Sequence, residues 1–286
     1  MEYTGKTKNL GVIGYPIKHS LSPIIQNAAI KKAQIDYSYI AMPIEPDDLQ
    51  IAVKGLKALN FVGFNVTIPH KVNIMKYLDH IDESARLIGA VNTVHIKDGK
   101  LYGFNTDAIG FINPLIKEAF EIKDKCAVIL GAGGACRAIV YGLIKQGIKN
   151  IVLGVRNKGK AATVVNDFNS FVDIIALDWQ SSSFKDMLRS ADLLINTTPL
   201  GMQGNIDSMP PVDWNILNPA AFVYDIVYIP QETKFLLEAK QHGHKVLNGE
   251  RMLAEQGAAA LHLWTDAIID VDEMVESLRT YFKKNG

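Results

Sequence analysis

The stretch from Cys126 to Gln146, CAVILGAGGACRAIVYGLIKQ, constrains the fold of this chain more than any other part of it. A short apolar run leads into the turn Gly131-Ala132-Gly133-Gly134-Ala135, and apolar residues at helical spacing follow. A buried strand, a glycine turn and a helix form a site for a phosphate group. Glycine lets the backbone approach the ligand, and the helix N-terminus presents unpaired N–H groups. Cys136 replaces the third glycine of G-x-G-x-x-G, so an ordinary tight turn is the alternative.

The next apolar run ends in the basic sequence Arg156-Asn157-Lys158, with Lys160 close behind. NAD-binding units usually carry an acidic residue here, which holds the ribose 2′-hydroxyl. A guanidinium group suits a 2′-phosphate instead. The sequence therefore favours NADP over NAD, the alternative being that Arg156 is an ordinary exposed loop arginine.

From Asp124 onward, short apolar runs alternate regularly with helical stretches. The runs are residues 126–130, 150–155, 173–177, 192–196, 222–224 and 245–247. This alternation predicts a doubly wound parallel sheet of the Rossmann type. Two helices are predicted after Gly249, at 250–264 and 271–282, and they either pack on the N-terminal half of the chain or extend the second domain.

Composition limits the class of protein. The 286 residues suffice for two domains, and 30 basic residues balance 30 acidic ones, which gives no general argument for nucleic acid or an anionic membrane as partner. Two cysteines outside any metal-ligand spacing indicate a reducing compartment, and no apolar run is long enough for a membrane span. We therefore expect a cytoplasmic protein. Seven scattered histidines predict no metal site.

Polar residues lie at the predicted ends of strands and helices in the first half of the chain. They are Ser20, Ser22, Asn65, Thr67, Lys71, Asn92, Asn105 and Asp107. Such a set suits a small polyhydroxylated acid. Lys71 and Asp107 are the ionisable candidates for exchanging a proton with a reacting alcohol oxygen, although the pair could instead only fix the geometry of the hydroxyls.

Ser22 precedes Pro23, which predicts a helix N-cap followed by proline at the first helical position. Ser20 is not needed for that cap. Two hydroxyls beside a helix N-terminus could also hold a substrate carboxylate. Plain capping and carboxylate binding both remain open for this pair.

Taken together, these stretches resemble the shikimate dehydrogenase family, which includes the quinate/shikimate dehydrogenases. The resemblance covers essentially the whole chain through eight motifs in order. They are Ser20-Leu21-Ser22-Pro23, Asn65-Val66-Thr67-Ile68-Pro69-His70-Lys71, Gly89-Ala90-Val91-Asn92-Thr93, Gly103-Phe104-Asn105-Thr106-Asp107, Gly131-Ala132-Gly133-Gly134-Ala135, Asn196-Thr197-Thr198-Pro199-Leu200-Gly201-Met202, Asp225-Ile226-Val227-Tyr228 and Gln256-Gly257-Ala258.

The resemblance implies an α/β fold of two domains. An N-terminal substrate-binding domain, residues 1–107, would be completed by the C-terminal helices, residues 250–286, with a Rossmann-type NADP-binding domain, residues 108–249, between them. The implied reaction is the reversible NADPH-dependent reduction of 3-dehydroshikimate to shikimate, in the shikimate pathway of aromatic amino-acid biosynthesis.

The resemblance also implies roles for individual residues. Ser20, Ser22 and Tyr228 would bind the substrate carboxylate, and Thr67, Lys71, Asn92, Asp107 and Gln256 would contact the ring hydroxyls. Lys71 and Asp107 would be the catalytic pair, with Lys71 as acid/base. The cofactor site would comprise Gly131, Ala132, Gly133, Gly134, Ala135, Arg156, Ile226 and Gly249, with Glu83 as a further contact.

Three stretches depart from the biosynthetic family pattern. Val155-Arg156-Asn157 stands where that pattern has Asn-Arg-Thr, and Gly249-Glu250-Arg251-Met252 replaces Gly-Leu-Gly-Met. Leu263-Trp264-Thr265 is similar to the quinate/shikimate branch, which can accept NAD. A quinate/shikimate dehydrogenase that uses NAD or NADP is therefore the alternative enzyme. A non-catalytic metabolite sensor is the alternative of another class, and monomer and homodimer are both open.

Overall fold

The structure, a computed structural model, describes residues 3–285 of the chain. It divides into two compact units. The first contains the chain up to Gly110 and again from Leu253 onward, and the second runs from Phe111 to Met252. Each boundary lies three residues beyond the position predicted from the sequence, inside a helix: Asp107–Lys117 at the first and Glu250–Thr265 at the second.

The first unit contains a six-stranded sheet of order β2-β1-β3-β5-β6-β4. The strands are β1 (Lys8–Gly14), β2 (Tyr37–Pro43), β3 (Gly63–Val66), β4 (His80–Ile81), β5 (Thr93–Lys97) and β6 (Lys100–Phe104). Strands β1, β2 and β3 are parallel, whereas β5 and β6 form an antiparallel hairpin. Asp98 and Gly99 turn that hairpin with φ values of 51° and 69°, as the Asp-Gly dipeptide predicts.

Three helices connect these strands: α1 (Ser22–Lys32), α2 (Leu49–Ala58) and α3 (Glu83–Ile88). Leu49, Val53 and Leu56 recur along one face of α2 and belong to the same buried cluster as Phe64 and Val66 of β3. Burial of this apolar face fixes α2 against the sheet and leaves the loop after β3 at the end of a rigid strand.

The second unit contains a wholly parallel sheet of order β12-β11-β10-β7-β8-β9. The strands are β7 (Cys126–Leu130), β8 (Asn150–Val155), β9 (Asp173–Asp178), β10 (Leu193–Asn196), β11 (Phe222–Asp225) and β12 (Lys245–Leu247). The helices are α4 (Asp107–Lys117), which begins in the first unit, α5 (Gly134–Lys145), α6 (Lys158–Phe168), α7 (Ser182–Leu188) and α8 (Lys234–Gln241). All six apolar runs predicted as strands are confirmed.

Strand β7 is buried on both faces, as expected for the centre of a parallel sheet. Ala127 and Ile129 contribute to one apolar cluster, and Val128 and Leu130 contribute to another. The glycine turn follows Leu130 directly, so it lies at the carboxyl end of this central strand.

The last two helices, α9 (Glu250–Thr265) and α10 (Val271–Asn285), complete the first unit. Trp264 Nε1 donates a hydrogen bond of 2.9 Å to the carbonyl of Val94. A Cβ at Gly63 would lie 2.5 Å from Trp264 Cδ1, so glycine is what allows the indole to reach that carbonyl. The alternative that these helices extend the second unit is wrong. No helix in residues 3–285 combines the length and apolar character that a membrane crossing needs.

Candidate functional site

Lys71 ends a short loop that follows β3. The ring of His70 is buried and makes a 2.8 Å hydrogen bond with the carbonyl of Ile44. The carbonyl of Lys71 accepts a hydrogen bond of 2.8 Å from Val91 N–H. These contacts fix the backbone on both sides of the Lys71 side chain, which projects from an anchored position.

Lys71 and Asp107 are in direct contact. Lys71 Nζ donates to Asp107 Oδ2 at 2.6 Å, and Asn92 Nδ2 donates to Asp107 Oδ1 at 2.8 Å. Asp107 is the first residue of α4, where the helix dipole favours a carboxylate. The two side chains retain 27% and 11% of their exposure, so the pair is mostly enclosed yet still reachable from solvent. The structure thus joins Lys71, Asn92 and Asp107, three of the predicted site residues.

A buried polar network supports Asn92. Its Oδ1 accepts from Thr93 Oγ1 at 2.9 Å and from Thr106 N–H at 2.8 Å. Thr93 in turn accepts from Asn65 Nδ2 at 3.0 Å, and the Tyr39 hydroxyl donates to Asn65 Oδ1 at 2.7 Å. Tyr39, Thr93 and Thr106 were not predicted from the sequence as site residues. Both threonines adjoin predicted site residues, whereas Tyr39 looks like an ordinary strand residue.

Ser22 does not cap α1. The helix begins at Ser22 itself, with Leu21 at the N-cap position and no side-chain capping bond. The N-cap prediction is therefore wrong, because Ser22 already lies inside the helix instead of preceding it. Ser20 Oγ accepts from Ser22 N–H at 3.4 Å. Burial raises the pKa of Tyr39 well above its usual value, and a hydrogen bond with Ser22 opposes the rise.

The other predicted substrate residues occupy separate positions. Thr67 N–H donates to Ile13 O at 3.0 Å, and Gln256 Nε2 donates to Leu253 O at 2.7 Å within α9. Among the contacts of the described residues, none joins Thr67 or Gln256 directly to Lys71 or Asp107. Tyr228 is half-buried in the second unit, and burial raises its pKa, so its hydroxyl keeps the proton. Glu83 is exposed in the first turn of α3.

The glycine turn after β7 has the geometry that a phosphate site needs. Gly131 adopts a φ of 107°, and a Cβ there would lie 2.8 Å from Thr197 Oγ1. Gly133 occupies the N-cap position of α5 without a side-chain capping bond, and a Cβ at Gly133 or Gly134 would meet nothing within 4 Å. The space beside these two glycines, at the N-terminus of α5, is therefore open. Cys136 is fully buried, as its packing role in the motif predicts.

A cavity of about 340 Å³ adjoins this turn. Its lining comprises residues 131–133, residues 155–157, Lys160, Trp179 and residues 197–200. Two of these side chains are cationic and, among the described residues that line the cavity, none is a carboxylate. This charge pattern fits a phosphate-bearing cofactor. Gly134 and Ala135 form the first turn of α5 and do not line the cavity.

Gly249 packs tightly against the loop after β11. Its N–H donates to Val227 O at 3.0 Å, and a Cβ at Gly249 would lie 2.5 Å from the carbonyl carbon of Ile226 and closer still to its oxygen. The following residue, Glu250, is buried and accepts a hydrogen bond from Gln231. Only glycine permits this approach of the two backbone segments.

The side chain of Asp225 anchors the same loop through hydrogen bonds. It is fully buried and accepts hydrogen bonds from Thr233 Oγ1 at 2.6 Å, Asn196 Nδ2 at 3.0 Å and Val227 N–H at 3.1 Å. Desolvation raises the pKa of Asp225 to about 6, and these hydrogen bonds oppose the rise. The sequence analysis placed this residue in a motif without assigning it a role.

The raised pKa of Asp225 makes stability depend on pH. As pH rises from about 4 to about 6, Asp225 ionises in the unfolded chain but keeps its proton in the folded one, so the free energy of unfolding falls, by on the order of 3 kcal/mol. Asp225→Asn removes this contribution. We expect the stability of the unsubstituted protein relative to Asp225→Asn, measured by urea denaturation, to fall over this interval and stay level above it. A difference that is constant with pH would contradict the account.

Among the described residues, no group of three or more histidine, cysteine or acidic side chains is placed to hold a metal ion.

Comparison with known proteins identifies the family. The model of the shikimate dehydrogenase substrate binding domain matches residues 12–94, and that of the shikimate 5′-dehydrogenase C-terminal domain matches residues 249–279. A protein of Methanocaldococcus jannaschii named shikimate dehydrogenase (NADP(+)) is 43% identical over 281 residues, which cover 96% of each chain. The chain belongs to the shikimate dehydrogenase family.

Solved structures of this family share the fold. The shikimate 5-dehydrogenase of Listeria monocytogenes, in complex with shikimate and NAD, is 35% identical with a TM-score of 0.93, covering 97% of this chain and 98% of that one. The quinate dehydrogenase of Corynebacterium glutamicum, in complex with NAD, is 28% identical with a TM-score of 0.88, covering 96% of this chain and 99% of that one. The two-domain α/β fold predicted from the sequence is confirmed.

Proposed function

We propose that this chain catalyses the reversible NADPH-dependent reduction of 3-dehydroshikimate to shikimate. The observation that carries the proposal is the direct contact between Lys71 and Asp107, supported from behind by Asn92, in a chain of the shikimate dehydrogenase family. An ammonium and a carboxylate held together at a partly open position can exchange a proton with a substrate oxygen.

The first unit would supply most of the substrate contacts. Ser20, Ser22 and Tyr228 would hold the substrate carboxylate through neutral hydroxyl donors. Thr67, Asn92 and Gln256 would contact the ring hydroxyls beside the catalytic pair. Hydroxyl and amide groups suit these tasks because each can donate or accept a hydrogen bond.

Within the catalytic pair, Lys71 transfers the proton and Asp107 positions Lys71. When bound, NADPH supplies the hydride that reduces the carbonyl carbon. Lys71 Nζ donates a proton to the carbonyl oxygen as it becomes a hydroxyl, and in the reverse direction it takes that proton back. Asp107 Oδ2 holds Lys71 at 2.6 Å, while Asn92 fixes the other carboxylate oxygen. In this mechanism a proton donor would lie where charge develops on the substrate.

The second unit would bind NADP, with NAD as the alternative cofactor. Residues Gly131 to Ala135 would present N–H groups of α5 to the pyrophosphate. Arg156 would pair with the 2′-phosphate, and Ile226 and Gly249 would contact the cofactor through their close backbone approach. The absence of a carboxylate among the described lining residues supports a 2′-phosphate over a 2′-hydroxyl.

The test of this proposal is direct product formation. Purified protein incubated with 3-dehydroshikimate and NADPH should oxidise the cofactor and form shikimate in equal amounts, measured by loss of nicotinamide absorbance and by chromatography of the product. Heat-treated protein serves as the control. NADPH that remains unoxidised, or a product other than shikimate, would overturn the assignment.

A quinate/shikimate dehydrogenase is the second candidate. Leu263-Trp264-Thr265 and the likeness to the quinate dehydrogenase of Corynebacterium glutamicum favour it. Quinate carries an additional hydroxyl on the carbon that bears the carboxylate, so discrimination would depend on the surroundings of Ser20, Ser22 and Tyr228. Oxidation of quinate at a rate comparable with that of shikimate would favour this candidate.

We place the activity in the cytoplasm. Cys126 and Cys136 are both free thiols, and Cys136 is fully buried, where burial raises its pKa to about 12. Unpaired cysteines of this kind suit a reducing compartment. Fractionation of cells that produce the protein, with enzyme activity as the readout, tests this location.

A further inference from the structure

Trp179 joins the cofactor pocket to the core of the second unit. It follows β9 directly, and its N–H donates to the carbonyl of Val155 at 3.2 Å. The side chain is only 7% exposed and belongs to the apolar cluster that contains Phe184 and Leu188. The same residue also lines the cavity beside the glycine turn. The indole is therefore a rigid part of the pocket wall.

Arg156 lies over this wall. Its guanidinium carbon is 5.8 Å from the centroid of the Trp179 ring, within the range of a cation–π interaction. Arg156 is exposed and, within the described part of the chain, no carboxylate lies at ion-pair distance from it. An exposed arginine samples many rotamers, and ordering it costs about 2 kcal/mol at most. A fixed aromatic ring lowers that cost before the cofactor arrives.

We propose that Trp179 is a positioning residue that sets the preference for NADP over NAD by holding the Arg156 guanidinium ready for the 2′-phosphate. The inference rests on the proposed function, because it assumes that the cavity holds a nicotinamide dinucleotide. NAD lacks the 2′-phosphate, so the ordering of Arg156 benefits NADP alone. Loss of the indole should therefore weaken the binding of NADP more than that of NAD. A purely structural role of Trp179 predicts equal losses instead.

Calorimetric titration of the resting protein with NADP⁺ and NAD⁺ separates these effects. In Trp179→Leu, we expect the dissociation constant for NADP⁺ to rise by about two- to fivefold, as loss of one exposed cation–π contact predicts, while that for NAD⁺ stays the same. Trp179→Phe keeps a ring beneath Arg156 and should recover most of the NADP⁺ affinity. Equal losses for both cofactors, or no recovery in Trp179→Phe, would overturn the proposal.

A double-mutant cycle tests whether Trp179 acts through Arg156. Once Arg156→Gln has removed the guanidinium, Trp179→Leu should weaken NADP⁺ binding little further, because the two substitutions remove one interaction. Fully additive losses would contradict the proposed mechanism.

Trp214→Leu is the matched control. Trp214 is 8% exposed and belongs to the same apolar cluster, but it does not line the cofactor pocket. Trp214→Leu should leave the ratio of the dissociation constants for NADP⁺ and NAD⁺ unchanged. A change equal to that of Trp179→Leu would overturn the inference. Should Trp179→Leu fail to fold, Trp179→Met supplies the ring-free variant, since methionine fills irregular apolar space.

Because cofactor binding is measured without turnover, the role of Trp179 and the proposed reaction can fail independently of each other. If Trp179→Leu loses NADP⁺ selectively but the unsubstituted protein turns over no shikimate, the proposed function falls and the role of Trp179 stands. If the unsubstituted protein turns over shikimate but binds NADP⁺ no more tightly than NAD⁺, the role of Trp179 falls and the reaction stands.

Discussion

Lys71→Ala is expected to lower kcat by about 10²- to 10⁴-fold, the contribution usual for a positioned proton donor. The substitution removes the only group that contacts Asp107 Oδ2 in the described network and leaves the cavity of the second unit untouched. NADP⁺ binding should therefore persist. Steady-state oxidation of shikimate measures the loss in kcat, and titration with NADP⁺ measures the retained affinity.

Two further variants sharpen this prediction. Lys71→Arg keeps a cation beside Asp107 but cannot release a proton near neutral pH, so its kcat should fall nearly as far. Lys76→Ala removes an exposed lysine whose ammonium donates a hydrogen bond to Asn73 Oδ1, and it should retain full activity. Full turnover in Lys71→Arg would show that Lys71 only positions the substrate, and preserved turnover in Lys71→Ala would remove it from the mechanism.

Gly249→Ala is expected to lower the free energy of unfolding by about 1–3 kcal/mol. The new methyl group would overlap the backbone carbonyl of Ile226, and neither backbone segment can move without breaking the hydrogen bond from Gly249 N–H to Val227 O. The same displacement should weaken NADP⁺ binding if Ile226 and Gly249 contact the cofactor. Denaturant unfolding measures the first effect, and NADP⁺ titration measures the second.

Gly55→Ala is the matched control for this substitution. Gly55 lies within α2, and a Cβ there meets nothing within 4 Å, so alanine should be neutral or slightly stabilising. An unfolding midpoint for Gly249→Ala equal to that of Gly55→Ala would show that the two backbone segments are not held as closely as the structure indicates.

The sequence predicts the second unit well because its signals are local. Each apolar run is a strand of the parallel sheet, and the turn at Gly131 requires a positive φ that glycine adopts readily. The contact between Lys71 and Asp107, which are 36 residues apart, follows from the family resemblance and not from spacing. No local pattern could have joined them.

The features that the sequence did not predict have two physical causes. Whether Ser22 precedes or begins α1 depends on one residue of backbone conformation, which the pattern Ser-Pro does not determine. Tyr39 of β2 reaches Asn65 of β3 across the intervening strand β1, and Trp179 meets Arg156 from the end of another strand. These contacts depend on sheet order, which a single sequence does not state.

The most direct measurement is steady-state oxidation of shikimate and quinate, each with NADP⁺ and with NAD⁺. The account predicts that shikimate with NADP⁺ gives by far the highest kcat/KM of the four pairs. Efficient use of quinate, or equal use of the two cofactors, would place the chain with the quinate/shikimate dehydrogenases and contradict the role assigned to Arg156. If none of the four pairs turns over, the proposed reaction is wrong.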